Sequence, residues 1–328
     1  MAIDRTLISL EDLPTPPVGK TGCPWLEQSI VLDKAPPQAK DYPKISVITP
    51  SYNQGEFLEE TIRSVLLQKY PNLEYIVIDG GSQDHSVEII KKYEQYLTYW
   101  ISEPDRGQSH ALNKGLAKVT GEIFTFINSD DLLLPNTLWR VADFFTKHPP
   151  NWVLNGGHHE IDRDGNFMQS FNPLPVISWQ DLVLGKADQP QPGTFWRTAA
   201  FEKTGNFRED LHYYFDQEFF IRLLFHYSLI TIDGPFACAR MHADTKSNTG
   251  RGDVVTYERC NEILKWLPKL TGQPLTKLTA YRSAMLLLLQ AKTKFEEQPL
   301  LKKLSLILQH PVLLTSPRTI TSLGKLST

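Results

Sequence analysis

Four short apolar runs in this chain each end in residues able to bind or activate a ligand. Thr49-Pro50-Ser51-Tyr52-Asn53 leaves the first and Asp79-Gly80-Gly81-Ser82 the second. Glu103-Pro104-Asp105-Arg106-Gly107-Gln108 leaves the third and Asn128-Ser129-Asp130-Asp131 the fourth. Consecutive short acids supply hard oxygen donors that suit Mg2+ or Mn2+, and Asp130 is the best placed of them. Such a cation is the natural counterpart of a diphosphate when no glycine cradle is present. The glycine cradles are indeed missing. Thr-Pro-Ser-Tyr-Asn-Gln stands where a dinucleotide site needs Gly-x-Gly-x-x-Gly, and Gly19-Lys20-Thr21 has Pro14 at the first P-loop glycine with no strand before it.

The elements that must position these residues follow from periodicity. Runs 45–49, 75–79, 98–102 and 123–127 are short, β-branched and aromatic, and read as strands. Between them, Leu58, Ile62, Val65 and Leu66 share one helical face, and Leu112, Leu116 and Val119 another. Repeated strand–helix–strand units give an α/β fold with a parallel sheet, whose ligands bind beyond the carboxyl ends of the strands. After Asp131 the spacing predicts a helix over 136–147, a hairpin turning at Asp164-Gly165, and a helix over 216–226. Residues 1–43 are proline-rich and aperiodic, an extended arm with Trp25 as its anchor. Residues 251–328 are helical in character, divided by Pro299, Pro311 and Pro317.

Composition bounds the function. The chain has 328 residues, 41% hydrophobic and 22% charged, with a net charge of −3 that provides no field for gathering nucleic acid. Cys23, Cys238 and Cys260 lie far apart, lack zinc spacing and read as reduced thiols, consistent with a cytoplasmic protein. The first twenty residues carry acids and prolines where a signal peptide would be apolar. The longest apolar run, 284–289, is too short to cross a bilayer. From 282 to 328, seven Lys or Arg stand against two Glu, with Leu300, Leu301, Leu304, Ile307 and Leu308 at helical spacing. Such a stretch suits peripheral contact with the inner face of an anionic membrane and equally suits packing on its own catalytic domain.

Three ordered motifs carry a resemblance to a known family. Lys44-Ile-Ser-Val-Ile-Thr-Pro-Ser-Tyr-Asn-Gln54, Val77-Ile-Asp-Gly-Gly-Ser-Gln-Asp84 and Phe126-Ile-Asn-Ser-Asp-Asp131 resemble the family 2 glycosyltransferases of GT-A fold. The similarity continues through Gln191-Pro-Gly-Thr-Phe-Trp-Arg197 and Tyr214-Phe-Asp-Gln-Glu-Phe-Phe-Ile-Arg-Leu223 to Arg240-Met-His242. It implies a Rossmann-like, mostly parallel sheet with helices on both faces, a catalytic domain over 44–250 and a helical appendage over 251–328. Residues 44–135 would form the nucleotide-sugar and metal half, and 136–250 the acceptor half.

The resemblance also implies roles. Thr49, Pro50 and Tyr52 would flank the nucleotide base, Asp79 would bond it, and Asp105, Gln108 and Ser129 would line the same pocket. Asn128 replaces the first acid of the family's Asp-x-Asp motif and could accept a ribose hydroxyl. Asp130 would ligate Mn2+ or Mg2+, with His242 a further ligand or phosphate contact. Asp216 matches the catalytic base that deprotonates the acceptor hydroxyl, giving inversion; burial among Phe215, Phe219 and Phe220 would make it a stronger base. Donor and acceptor would be a nucleotide-diphosphate sugar, UDP-linked by family habit, and a saccharide or lipid-linked hydroxyl in polysaccharide or glycolipid synthesis. The alternatives are a nucleotidyltransferase that makes the activated sugar, which lacks its glycine-rich basic loop here, and a nucleotide-sugar-binding module with weak or no catalysis. Simpler readings remain for single residues: Asp79 as a turn residue, Asp216 as a helix N-cap, Asn128 to Asp131 as caps of the next helix, Tyr52 as core. The adjacent His158 and His159 would point to opposite faces of a strand and bind no ion together.

Overall fold

The computed structural model describes residues 7–29, 42–172, 177–183, 187–243 and 245, with scattered helical positions between 258 and 269. The chain divides into two compact units, Met1–Leu182 with Ala187–Thr245, and Val183–Lys186 with Lys246–Thr328. In chain order the elements are β1 (Ile45–Ser51), α1 (Gly55–Leu66), β2 (Leu73–Asp79), α2 (Ser86–Tyr93), β3 (Tyr99–Ser102), α3 (Gln108–Leu116) and β4 (Ile123–Phe126). There follow β5 (Leu132–Leu133), α4 (Thr137–Lys147), β6 (Val153–Asn155), β7 (His158–Ile161), β8 (Phe167–Phe171) and α5 (Trp179–Val183). The last are β9 (Thr194–Arg197), α6 (Phe201–Thr204), α7 (Phe215–His226), β10 (Leu229–Thr231) and β11 (Ala237–Arg240).

A seven-stranded sheet runs β10-β6-β9-β4-β1-β2-β3, parallel except where β9 opposes β4 and β6. Every residue of β1 is buried, as a central parallel strand covered on both faces must be. Alternate residues serve the two faces. Ile45, Val47, Tyr75 and Val77 join Leu58, Ile62 and Val65 of α1, Ile90 and Tyr93 of α2, and Leu138, Val141 and Phe145 of α4 in one core. Ile48 meets Gly115 of α3, so close that any side chain at that position would strike it. Phe124 and Trp196 pack on Phe201 and Phe219 of α6 and α7 on the same opposite face.

Register brings the strand ends together. Ser51 pairs with Asp79 and Asp79 with Ser102, while Ile48 pairs with Phe126, so β1 to β4 release their loops along one edge. A second sheet, β5-β11-β7-β8, lies beside this edge and returns the chain to it through β11. Helix α3 ends at Leu116, one turn before Val119, because Thr120 N–H and hydroxyl are committed to Glu74 and pull the chain out of the helix. The hairpin turns where expected, with Gly165 at φ +91°. His158 is buried and stacked on Phe171, whereas His159 is half-buried and bonded to Ser170 on the other face of the strand. The arm is held by Arg63 of α1, which donates to the carbonyls of Pro14, Pro24 and Trp25 and lies 5.3 Å from the centre of the Trp25 ring.

In the second unit, Glu262 pairs with Lys265 at 2.6 Å and the Lys269 ammonium lies 4.3 Å from the Trp266 ring centre, each three residues apart on a helix. The basic stretch 282–328 lies outside the described residues. Among the described residues no helix is long and apolar enough to cross a membrane.

Glu74 links β1, β2 and the turn into β4. Burial alone would raise its pKa, but bonds from Ser46 and Thr120 and the charge of Lys44 outweigh this and hold it below the usual 4.5. A depressed carboxyl stabilises the fold above its unfolded pKa and ceases to do so as pH falls through its folded one. Glu74→Gln is therefore expected to cost about 1–3 kcal/mol at neutral pH. Urea titrations at several pH values should show the gap from wild type narrowing only below about pH 4.5.

Candidate active site

The loops after β1 and β2 are clamped together. Ser82 Oγ accepts from Asn53 N–H, Asn53 Oδ1 from Gln83 N–H, Ser86 Oγ from Gln54 N–H and Asp84 from Gly55 N–H. Asp79 organises its own loop. Its carboxylate has no exposed surface and accepts from Gly81 N–H, Ser82 N–H and the hydroxyls of Ser82 and Ser102. Gly81 sits at φ +83°, which glycine adopts without strain. Thr49 is likewise fully buried, with its hydroxyl 3.0 Å from that of Tyr75, so this side chain buttresses the sheet from inside. Pro50 and Ser51 are buried, and Tyr52, 59% exposed, stands free of the core at the lip.

The loop after β3 is drawn against the same edge. Asp105 accepts from Gly107 N–H at 2.7 Å, and its other oxygen lies where a side chain at Gly80 would have to be. Gly107, at φ +114°, then starts α3. Gln108, in the first turn, donates to Asn128 Oδ1 at 2.6 Å, so the β3 and β4 loops are joined.

The two aspartates after β4 have opposite environments. Asp131 is buried, with Oδ1 accepting from Arg240 N–H at 2.9 Å and Oδ2 from Asn128 Nδ2 at 3.0 Å. Burial and the adjacent Asp130 carboxylate push its pKa well above the usual range, against the pull of these bonds and of the Arg240 charge. Asp130 instead turns outward, its side chain 17% exposed, with Oδ2 3.1 Å from His242 Nε2. Arg240 holds both: Nε donates to the Asp130 carbonyl, Nη1 to those of Asp162 and Arg163, and Nη2 pairs with buried Glu60 at 3.0 Å. Phe57 lies under both Arg240 and His242, with ring centres 4.8 Å apart in the second case.

Asp216 lies in the first turn of α7, half-buried, with Oδ1 accepting from Gln217 N–H at 2.7 Å. It is not the N-cap, which is Tyr214, and the residues after β4 do not cap α4, whose N-cap is Asn136. The start of α7 is brought to the site edge from two sides. Phe215 lies 6.3 Å from Phe126, the last residue of β4. Gln217 exchanges two hydrogen bonds with the main chain of Gln189, and Gln191 Nε2 in that same loop donates to the Phe126 carbonyl.

The fold thus gathers Pro50, Tyr52, Asp79, Asp105, Gln108, Asn128, Ser129, Asp130 and His242 at one sheet edge, with α7 and Asp216 braced against β4. Within that set, the Asn128 amide accepts from Gln108 and donates to Asp131, and keeps a second lone pair on Oδ1 for a further donor. Sequence reasoning passed over Arg240, Glu60 and Gln189. The only signal for Arg240 was its place two residues before His242. Glu60, on α1, and Gln189, in a loop, have partners distant in sequence.

The chain therefore has an α/β sheet with acid-bearing loops at its carboxyl edge and an Asp–His pair beside the fourth strand. The profile of glycosyl transferase family 2 matches residues 46–222, more than half of the chain, and the chain belongs to that family. An uncharacterized glycosyltransferase of Mycobacterium tuberculosis is 33% identical over 182 residues, 55% of this chain and 68% of the relative. S. aureus TarS 1-349, solved with UDP-GlcNAc, superposes with a TM-score of 0.55 at 21% identity, covering 74% of this chain and 70% of that one. The longer TarS chain is covered over only 42% of its length. A Pyrobaculum calidifontis mannosyltransferase in complex with GDP-Man and Mn2+ gives 0.50 at 16% identity, over 88% of this chain and 85% of that one. The fold is GT-A, and the protein is a glycosyltransferase.

Arg240 is expected to be the most sensitive position in this region. Arg240→Met strands buried Glu60 and the loop carbonyls, and should cost about 3–5 kcal/mol in urea unfolding. Adding Glu60→Gln should recover part of that loss, since no buried charge then remains unpaired.

Proposed function

We propose that this chain transfers a sugar, with inversion, from a nucleotide-diphosphate donor, UDP-linked, to a hydroxyl of a saccharide or lipid-linked acceptor in polysaccharide or glycolipid synthesis. The observation that carries the reading is the outward-facing Asp130 carboxylate set 3.1 Å from His242 Nε2 at the end of β4. Among the described residues no group of three His, Cys, Asp or Glu is placed to hold a metal ion together. A carboxylate and an imidazole alone fit a cation whose remaining positions are filled by diphosphate oxygens and water, as Mg2+ and Mn2+ sites in phosphate chemistry often are. Bound there, the cation would stabilise the negative charge that grows on the departing diphosphate.

The protein's own groups supply the rest. Tyr52 and Asp105 line the nucleotide end, and Asp79 and Thr49 keep their loops and strands in place beneath it. Asp216 takes the proton of the acceptor hydroxyl as that oxygen attacks the anomeric carbon from the side opposite the diphosphate. The chains named above bind UDP, UDP-GlcNAc or GDP-Man, which supports a nucleotide-sugar donor without choosing among sugars. A single partly exposed acid in this loop is also what a nucleotide-sugar-binding module with little turnover would carry, so binding and turnover are tested separately.

Melting curves with UDP, GDP, CMP and ADP, each with and without Mn2+, should show stabilisation by UDP that needs the cation and is lost in Asp130→Ala. Asp216→Asn should keep that stabilisation while release of UDP from UDP-sugars, in the presence of saccharide or lipid acceptors, falls about 10²–10⁴-fold. Binding without turnover in the wild type would favour the binding module, and no response to any nucleotide would remove both readings.

A further inference from the structure

Asn128 stands where the family resemblance calls for an acid, and its amide makes one hydrogen bond at each end. Oδ1 accepts from Gln108 Nε2 at 2.6 Å, and Nδ2 donates to Asp131 Oδ2 at 3.0 Å. The neighbouring groups as placed favour this orientation. Turned over, the amide would set an N–H against the Gln108 N–H and an oxygen against the Asp131 carboxylate. Asp131 in turn accepts from Arg240 N–H at 2.9 Å. Gln108, Asn128, Asp131 and Arg240 therefore form one hydrogen-bonded row from the first turn of α3 to the end of β11. The row passes beneath Asp130, whose carbonyl is held by Arg240 Nε and whose carboxylate faces His242.

An aspartate at position 128 could still accept from Gln108, but it would have no hydrogen to give Asp131. It would also bring two carboxyl groups within about 3 Å of each other, a pair that must either hold a proton between them or repel. In this protein the second acid of the loop sits at 131, and the neutral amide at 128 donates to it.

Resting on the transferase reading above, we propose that Asn128 is a positioning residue, which sets Asp130 for the cation by bridging Gln108 and Asp131. The charge and the amide should then be exchangeable as a pair but not singly. With Asp131→Asn added to Asn128→Asp, the amide now at position 131 accepts from Arg240 N–H through its oxygen. Its nitrogen donates to the carboxylate now at position 128, which accepts from Gln108 as well. Every bond in the row is restored, with the same net charge.

The test uses the full chain, its Asn128→Asp variant and the double exchange. Two quantities are read: the melting temperature in EDTA, and Mn2+ affinity in the presence of UDP from the EPR signal of free Mn2+. Asn128→Asp should melt lower than wild type without metal and bind Mn2+ at least tenfold more weakly, although it gains an acid. The double exchange should recover the melting temperature and bring Mn2+ affinity back to within a few-fold. Mn2+ binding by Asn128→Asp equal to or tighter than wild type would overturn the positioning role, as would a double exchange no better than the single variant. Wild-type protein that fails to bind Mn2+ with UDP would overturn the role together with the transferase reading, so the two failures are told apart.

Discussion

Two adjacent aspartates leave β4, and the fold treats them in opposite ways. Asp131 is sealed under the sheet edge, accepting from the Arg240 main chain and the Asn128 amide, while Asp130 faces outward beside His242. Burying a carboxylate is costly unless its oxygens are bonded, so the residues around Asp131 have little freedom. Thr61 of α1 bonds its carbonyl, Asn128 and Arg240 bond its side chain, and Arg240 is itself tied to Glu60 and to the hairpin carbonyls. Three elements distant in sequence, α1, β11 and the hairpin, are thereby fixed around one turn. The direction of the Asp130 carboxylate follows from that constraint.

The rest of the edge is built on the same economy. Asp79, Asp84 and Ser82 spend their oxygens on main-chain N–H groups of the β1 and β2 loops, so these loops are rigid without needing regular structure. Polar residues at a strand end thus divide into those that shape the loop and those left partly open to solvent. Tyr52 and Asp130 belong to the second group. The start of α7 is positioned by apolar and polar means together, through the Phe126–Phe215 contact and the Gln189–Gln217 exchange. Asp216 is carried to the site by a helix rather than a loop, which limits how far it can stray.

Much of the fold was legible because its signals are local. The runs ending at 49, 79, 102 and 127 correspond to β1–β4, and the spacing of Leu58, Ile62, Val65 and Leu66 marks the buried face of α1. Legibility failed where a distant partner overruled a local pattern. Val119 continues the helical spacing of α3, yet the chain leaves the helix because Thr120 is held by Glu74, 46 residues away. Thr49 and Asp79 sit in the expected motifs, but nothing local says that both side chains are fully buried.

By itself the sequence determined the family, the parallel α/β plan and the four strand ends that carry the polar residues, because these depend on periodicities of two and 3.6 and on short contiguous motifs. Only the tertiary structure decided which of the adjacent aspartates faces out, that the Asn128 amide is bonded at both ends, and that Arg240 and Glu60 meet across 180 residues. Each of those outcomes rests on burial and on a hydrogen-bond partner far along the chain, and neither is written in the neighbouring residues.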